Sequence, residues 1–184
     1  MPCLVFPLQF VRDEAIGFLT TNNERKPPSI AEKFPALLAV KDPVATKAQA
    51  LLAGSGLHVQ ASGVHARPAG DFYAIGELLR ALRSSEKAIT VIWPVLVEVC
   101  TGRVISGRLL RSLMALEKRL GGHASLVDPR WRERLTAVGA AAIERAVRDM
   151  AAAEGKHTER GAAMAISALL NKGLTKNKLL VDLS

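Results

Sequence analysis

Ser106-Gly107-Arg108-Leu109-Leu110-Arg111-Ser112-Leu113-Met114-Ala115-Leu116-Glu117-Lys118-Arg119-Leu120 decides the fold class. At 100° per residue, with Arg108 at 0°, Leu109, Leu113, Leu116 and Leu120 fall between about 80° and 140°, and Leu110 near ~200°. Arg111, Lys118 and Arg119 fall near ~300°, ~280° and ~20°, so one face is apolar and the other cationic. Glu117, near ~180°, lies off the cationic face, so no acid of the same helix neutralises it. Ser106 is placed to cap the N-terminus, and Gly121-Gly122 to end the helix.

The same signs recur along the chain. Gln9 to Thr21 carries Phe10, Ala15, Phe18 and Leu19 near one helical face, and residues 20–28 form a polar, proline-ended loop. Ser29-Ile30-Ala31-Glu32 has the form of a capping box, opening a helix to about Lys41 that Pro35 kinks or delays. Asp42-Pro43 opens a helix that stops at Gly54. Asp71 is read as the cap of a helix bearing Ala74, Ile75, Leu78, Leu79 and Leu82. Asp128-Pro129 opens the longest helix, to Glu154, and Thr158 caps a last one through Lys172. Ile89-Thr90-Val91-Ile92-Trp93 has strand propensity without strand alternation. Ala88 to Cys100 is therefore assigned to helix, interrupted at Pro94, with a strand as the alternative. The apolar content is mostly Ala and Leu, strong helix formers, and aromatics make up only 4%. The expectation is an all-α chain of seven to eight helices in a bundle or orthogonal array, with essentially no sheet. Residues 1–54 form an N-terminal helical segment, 55–70 an exposed loop or linker, and 71–184 a basic helical domain whose tail is at most partly ordered.

Composition narrows the function. The run Ala88–Cys100 contains Pro94 and Glu98 and is shorter than the ~20 residues of a membrane span. No basic residue precedes Arg12, so the N-terminus lacks the pattern of a signal peptide. Cys3 and Cys100 form no CxxC pair, and the expected location is the cytoplasm, with reduced thiols. His58, His65, His123 and His157 are too dispersed to build a metal site. The glycine-rich phosphate loops and the nucleophile elbow are missing. His58 and His65 read as solvent-facing loop residues, and Cys100 as core. The expectation is a protein without catalytic residues, cofactor or metal.

Charge supplies the positive indication. The chain carries a formal net charge of +8. Residues 1–100 contain 10 Lys and Arg against 9 Asp and Glu; residues 101–184 contain 15 against 8, a net +7. This asymmetry favours an acidic partner, nucleic acid before anionic lipid. The residues expected to bind are Arg103, Arg108, Arg111, Lys118 and Arg119, with Arg103 and Ser106 set before the helix where side chains meet phosphates. A turn around Thr101-Gly102 ahead of this helix gives the outline of a helix-turn-helix. Arg130, Arg132, Arg134, Lys156, Arg160, Lys172, Lys176 and Lys178 add a diffuse basic set. Trp131 is the only aromatic beyond residue 100, which favours duplex DNA over single strands or RNA, whose readers need stacking rings. The competing reading is a helical oligomerisation or partner-docking module whose basic face is merely solvated. A membrane-surface helix fits less well, since no Trp or Phe borders the basic face.

Asn23-Glu24-Arg25-Lys26-Pro27-Pro28-Ser29, Glu32-Lys33-Phe34 and Lys41-Asp42-Pro43-Val44-Ala45 resemble the segment that follows the ParB/sulfiredoxin-like domain in bacterial, plasmid and phage ParB-like proteins. Ala53-Gly54-Ser55-Gly56-Leu57 and Ala74-Ile75-Gly76-Glu77-Leu78-Leu79-Arg80 continue the likeness, which covers about residues 1–120. The D-G-x-H-R type of phosphate-handling box is missing from this chain, so nucleotide binding and nuclease activity do not carry over. The resemblance implies a truncated or stand-alone relative of the helical portion, with a helix-turn-helix and surfaces for self-association.

Overall fold

The computed structural model describes residues 11–21, 28–59, 70–120, 126 and 128–174. Nine helices occur among them: α1 (Val11–Thr21), α2 (Ile30–Ala39), α3 (Pro43–Gly54), α4 (Ile75–Ser84), α5 (Glu86–Val99), α6 (Gly107–Leu120), α7 (Pro129–Val138), α8 (Ala140–Ala153) and α9 (Glu159–Asn171). The chain is all-α, as its patterning implies. The single piece of sheet described is a parallel pair of two-residue strands, β1 (His58–Val59) and β2 (Asp71–Phe72), in which His58 faces Asp71.

Most helix starts follow the capping residues. Ser29 accepts from the Glu32 amide while the Glu32 carboxylate accepts from the Ser29 amide at 2.6 Å, a reciprocal capping box. Asp42, Ser106, Asp128 and Thr158 likewise accept from amides of the first turn of α3, α6, α7 and α9. The expected ends at Gln9, Phe10 and Gly121-Gly122, and the tail from residue 175, lie outside the described residues.

Three expectations are corrected. Asp71 does not cap a helix: it lies in β2, and α4 starts at Ile75 behind Ala74, which makes no side-chain cap bond. The extended backbone there delivers Phe72 into the core, edge-on to Trp93 at a centroid distance of 5.7 Å, and burial of that ring outweighs an earlier helix start. Pro94 does not interrupt α5, which runs unbroken from Glu86 to Val99 with Ile89, Ile92, Trp93, Val95, Leu96 and Val99 buried. The apolar face of α5 holds the helix together across the one amide that proline removes. The long helix expected from Asp128 to Glu154 is two, because Gly139 adopts φ 76° and separates α7 from α8.

The core is one cluster reaching from Phe34 to Leu170. Helix α6 lies at its centre, packed against α4, α5, α8 and α9. Buried Gly161, Ala162, Ala163 and Ala165 present a surface of small residues on α9, which packs with α6 and α8. In the segment 55–70, the ends are tied down by the strand pair and by Ser55, whose Oγ accepts from Trp93 Nε1 at 2.9 Å. Residues 60–69, including His65, lie outside the described residues.

Candidate nucleic-acid interface

The cationic residues of α6 are held outward by what the helix buries. Leu109, Leu110, Leu113, Leu116 and Leu120 are buried, whereas Arg108, Arg111, Lys118 and Arg119 are exposed, as is Arg103 in the preceding turn. The cationic arc is not continuous, however. Ser112 and Ala115, which fall near ~40° and ~340° on the wheel, are buried. A helical wheel fixes the direction of a side chain but not what packs above it; small residues at these two positions admit close packing in the middle of the arc. Arg108 and Arg119 therefore emerge in the first and last turns, on either side of this covered stretch.

The start of α6 is arranged differently from the sequence expectation. Helix α6 has no acidic residue in its first turn, and other helices supply the negative charge that its N-terminal dipole favours. The Ser106 hydroxyl donates to Glu144 of α8 and accepts from the Leu109 amide at 3.1 Å. Ser106 is thus committed to Glu144 and to its cap, not set out to meet a phosphate. Glu77 of α4 lies beside Gly107 on the other flank.

Acids from neighbouring helices also reach two of the five cations. Arg111 Nε lies 3.7 Å from Glu77 Oε2, which also receives Arg80 Nη1 at 3.2 Å. Lys118 Nζ donates to Glu159 at 2.9 Å. Among the described residues, Arg103, Arg108 and Arg119 make no ion pair. The Arg103 amide donates to the Cys100 carbonyl at 2.8 Å, bringing its charge near the thiol. Burial first and Glu144 second push the Cys100 thiol up to about 11, against a smaller lowering by Arg103. Cys100 is thus a protonated core residue at neutral pH and not an activated nucleophile.

The arginines of α7 are each engaged by a contact within the fold. Arg130 binds Asp128 at 2.6 Å, and that hydrogen bond holds the Asp128 carboxyl below its usual range. Arg132 pairs with Glu98, and Arg134 Nη2 donates to the Lys172 carbonyl at 3.0 Å. Lys156, Arg160 and Lys172 are exposed, whereas Lys176 and Lys178 lie outside the described residues. His58 and His157 are exposed; His123 lies outside the described residues. Among the described residues, no group of three His, Cys, Asp or Glu is placed to hold a metal, and no helix is long and apolar enough to cross a membrane.

The sequence does not mark Arg80 and Glu77 as neighbours of the α6 cations. Their i,i+3 spacing on α4 was a visible signal, but nothing in the sequence places Arg111 beside them. The chain matches no family model, no curated protein and no solved structure. The ParB-like resemblance rests on its short motifs alone.

Proposed function

We propose that the protein is a non-enzymatic DNA-binding or DNA-associated protein that contacts the backbone of duplex DNA through the exposed cations around α6. The observation behind this reading is that Arg103, Arg108 and Arg119 are exposed and make no ion pair among the described residues, in the half of the chain that carries the net positive charge. Unpaired surface guanidinium groups are suited to phosphate oxygens. Arg108 and Arg119 are separated by about 16 Å along the axis, on the scale of the ~12 Å major groove, a spacing suited to reaching both strands. Enclosure of α6 by four helices favours phosphate contact over insertion of the helix into the groove as a recognition helix. The helical relation to ParB-like proteins is part of this proposal.

The test is a titration of labelled duplex at two salt concentrations, wild type against the Arg108→Ala, Arg111→Ala double variant. Both positions are exposed, so helicity should be unchanged while affinity falls strongly. Equal binding by the two proteins, or wild-type affinity weaker than ~10⁻⁴ M at physiological salt, would leave α6 with only a solvated face. The second reading, a self-association or partner-docking module, is favoured by Val11, Ile16 and Phe18, large apolar residues exposed on α1. Sedimentation equilibrium of wild type and a Val11→Ser, Ile16→Ser variant tests it; a concentration-dependent mass that the variant loses supports association.

A further inference from the structure

Glu77 occupies the space between two arginines on different helices. Its Oε2 atom lies 3.2 Å from Arg80 Nη1 of α4 and 3.7 Å from Arg111 Nε of α6, and Oε1 lies 3.3 Å from the same Arg80 nitrogen. The three side chains differ in exposure: Arg80 and Arg111 are 72% and 55% exposed, Glu77 only 24%. The stem of Glu77 is packed against Gly107, where an added Cβ would meet Glu77 Cγ at 2.8 Å. Two solvent-facing guanidiniums thus converge on one carboxylate that is fixed from below.

We propose that Arg80 and Arg111 form a seat for one phosphate group, and that Glu77 fills this seat as an internal competitor. Two guanidiniums directed at one oxyanion are the arrangement that recognises phosphate as well as carboxylate. The seat rests on the duplex reading for the source of its phosphate, a phosphodiester of the DNA backbone. It extends the interface from α6 onto α4 and adds Arg80 to it. Because Glu77 holds both cations, the wild-type seat binds weakly, and entry of phosphate requires the carboxylate to give up its partners. An exposed pair of this kind contributes little to the fold, so exchange of one anion for another is cheap.

The experiment uses the full chain in four forms: wild type, Glu77→Gln, Arg80→Gln and the Glu77→Gln, Arg80→Gln double variant. Glu133→Gln, an exposed change on α7 with the same charge difference, controls for net charge. Each is titrated with labelled duplex DNA and, separately, with inorganic tripolyphosphate. Glu77→Gln is expected to bind both probes about fivefold more tightly than wild type, the scale of one surface ion pair. Arg80→Gln should cancel that gain, and Glu133→Gln should not reproduce it. The proposal is overturned if Glu77→Gln matches wild type or Glu133→Gln, or if its gain survives Arg80→Gln. The two readings separate cleanly. An Arg80-dependent gain for tripolyphosphate without duplex binding keeps the seat and removes its DNA source. Duplex binding indifferent to Glu77 and Arg80 keeps the DNA reading and removes the seat. No binding of either probe by any form removes both. Should Glu77→Gln perturb the packing at Gly107, Glu77→Ala, which removes the carboxylate together with the Cγ that crowds Gly107, should show the same Arg80-dependent gain for both probes.

Discussion

Gly107 lies flush against Glu77: a Cβ at Gly107 would sit 2.8 Å from Glu77 Cγ and 3.3 Å from Ala74 Cβ. That approach brings the N-terminus of α6 onto α4 and sets Arg111 beside Arg80. In an open helix, Gly→Ala would stabilise by about 0.5–1 kcal/mol. Here the sign should reverse. Gly107→Ala should destabilise by about 1 kcal/mol and Gly107→Val by about 2–3 kcal/mol, measured by urea denaturation. In a Glu77→Ala background the cost of Gly107→Ala should shrink by at least ~0.5 kcal/mol, the signature of residues in contact. A stabilising Gly107→Ala would refute the close packing.

Trp93 Nε1 donates to Ser55 Oγ at 2.9 Å, and Trp93 is buried between that hydroxyl and Phe72. Ser55→Ala should strand the indole N–H and cost about 1–3 kcal/mol, read by thermal or urea denaturation, with a shift in tryptophan emission. A change of under ~0.5 kcal/mol with unaltered emission would mean that the bond contributes nothing.

What the sequence disclosed and what it hid divide along physical lines. Ser29, Asp42, Ser106, Asp128 and Thr158 were legible because a cap is satisfied by amides two or three residues away. Asp71 misled because its capping tendency was overridden by Phe72, whose burial against Trp93 is a tertiary event. Gly139 was visible in the sequence, but its positive φ was not. At the candidate interface, the wheel of α6 placed Arg108, Arg111, Lys118 and Arg119 on the exposed side. It could not supply Glu159 for Lys118 or Glu144 for Ser106, partners 41 and 38 residues distant. Ser112 and Ala115 were the one available hint: small residues within a cationic arc leave room for a neighbour.

The raised Cys100 thiol makes stability depend on alkaline pH. Its value is about 11 in the fold against 9.0 unperturbed, so the unfolded chain gives up this proton first. The contribution is fully present below pH ~9 and is lost as pH rises through ~11, at no more than about 1.4 kcal/mol per pH unit. Cys100→Ala should flatten the decline of unfolding free energy between pH 9 and 11 relative to wild type. Parallel curves for the two proteins would show that the thiol is not the cause.

The cations of α6 should contribute unequally to DNA binding, because they begin from different states. Each phosphate neutralised contributes about −0.9 to the slope of log K against log salt. Among the described residues Arg103, Arg108 and Arg119 make no ion pair, so Arg108→Ala or Arg119→Ala should each reduce the slope by about 1. Lys118 must first leave Glu159 at 2.9 Å. While it stays on Glu159 it neutralises no phosphate and releases none of the DNA's counterions, so Lys118→Ala should change the slope by well under ~1. Glu159→Gln frees the ammonium and should raise affinity, making the Lys118→Ala effect in that background approach the Arg119→Ala effect. The wild-type slope should then be about −3, the sum for the three arginines that make no ion pair among the described residues. Titrations across salt test the ranking: wild type, Arg119→Ala, Lys118→Ala, Glu159→Gln and the Lys118→Ala, Glu159→Gln double variant. Identical slope changes for Arg119→Ala and Lys118→Ala would show that the ion pair to Glu159 has no part in binding, and a wild-type slope near zero would remove phosphate contact altogether.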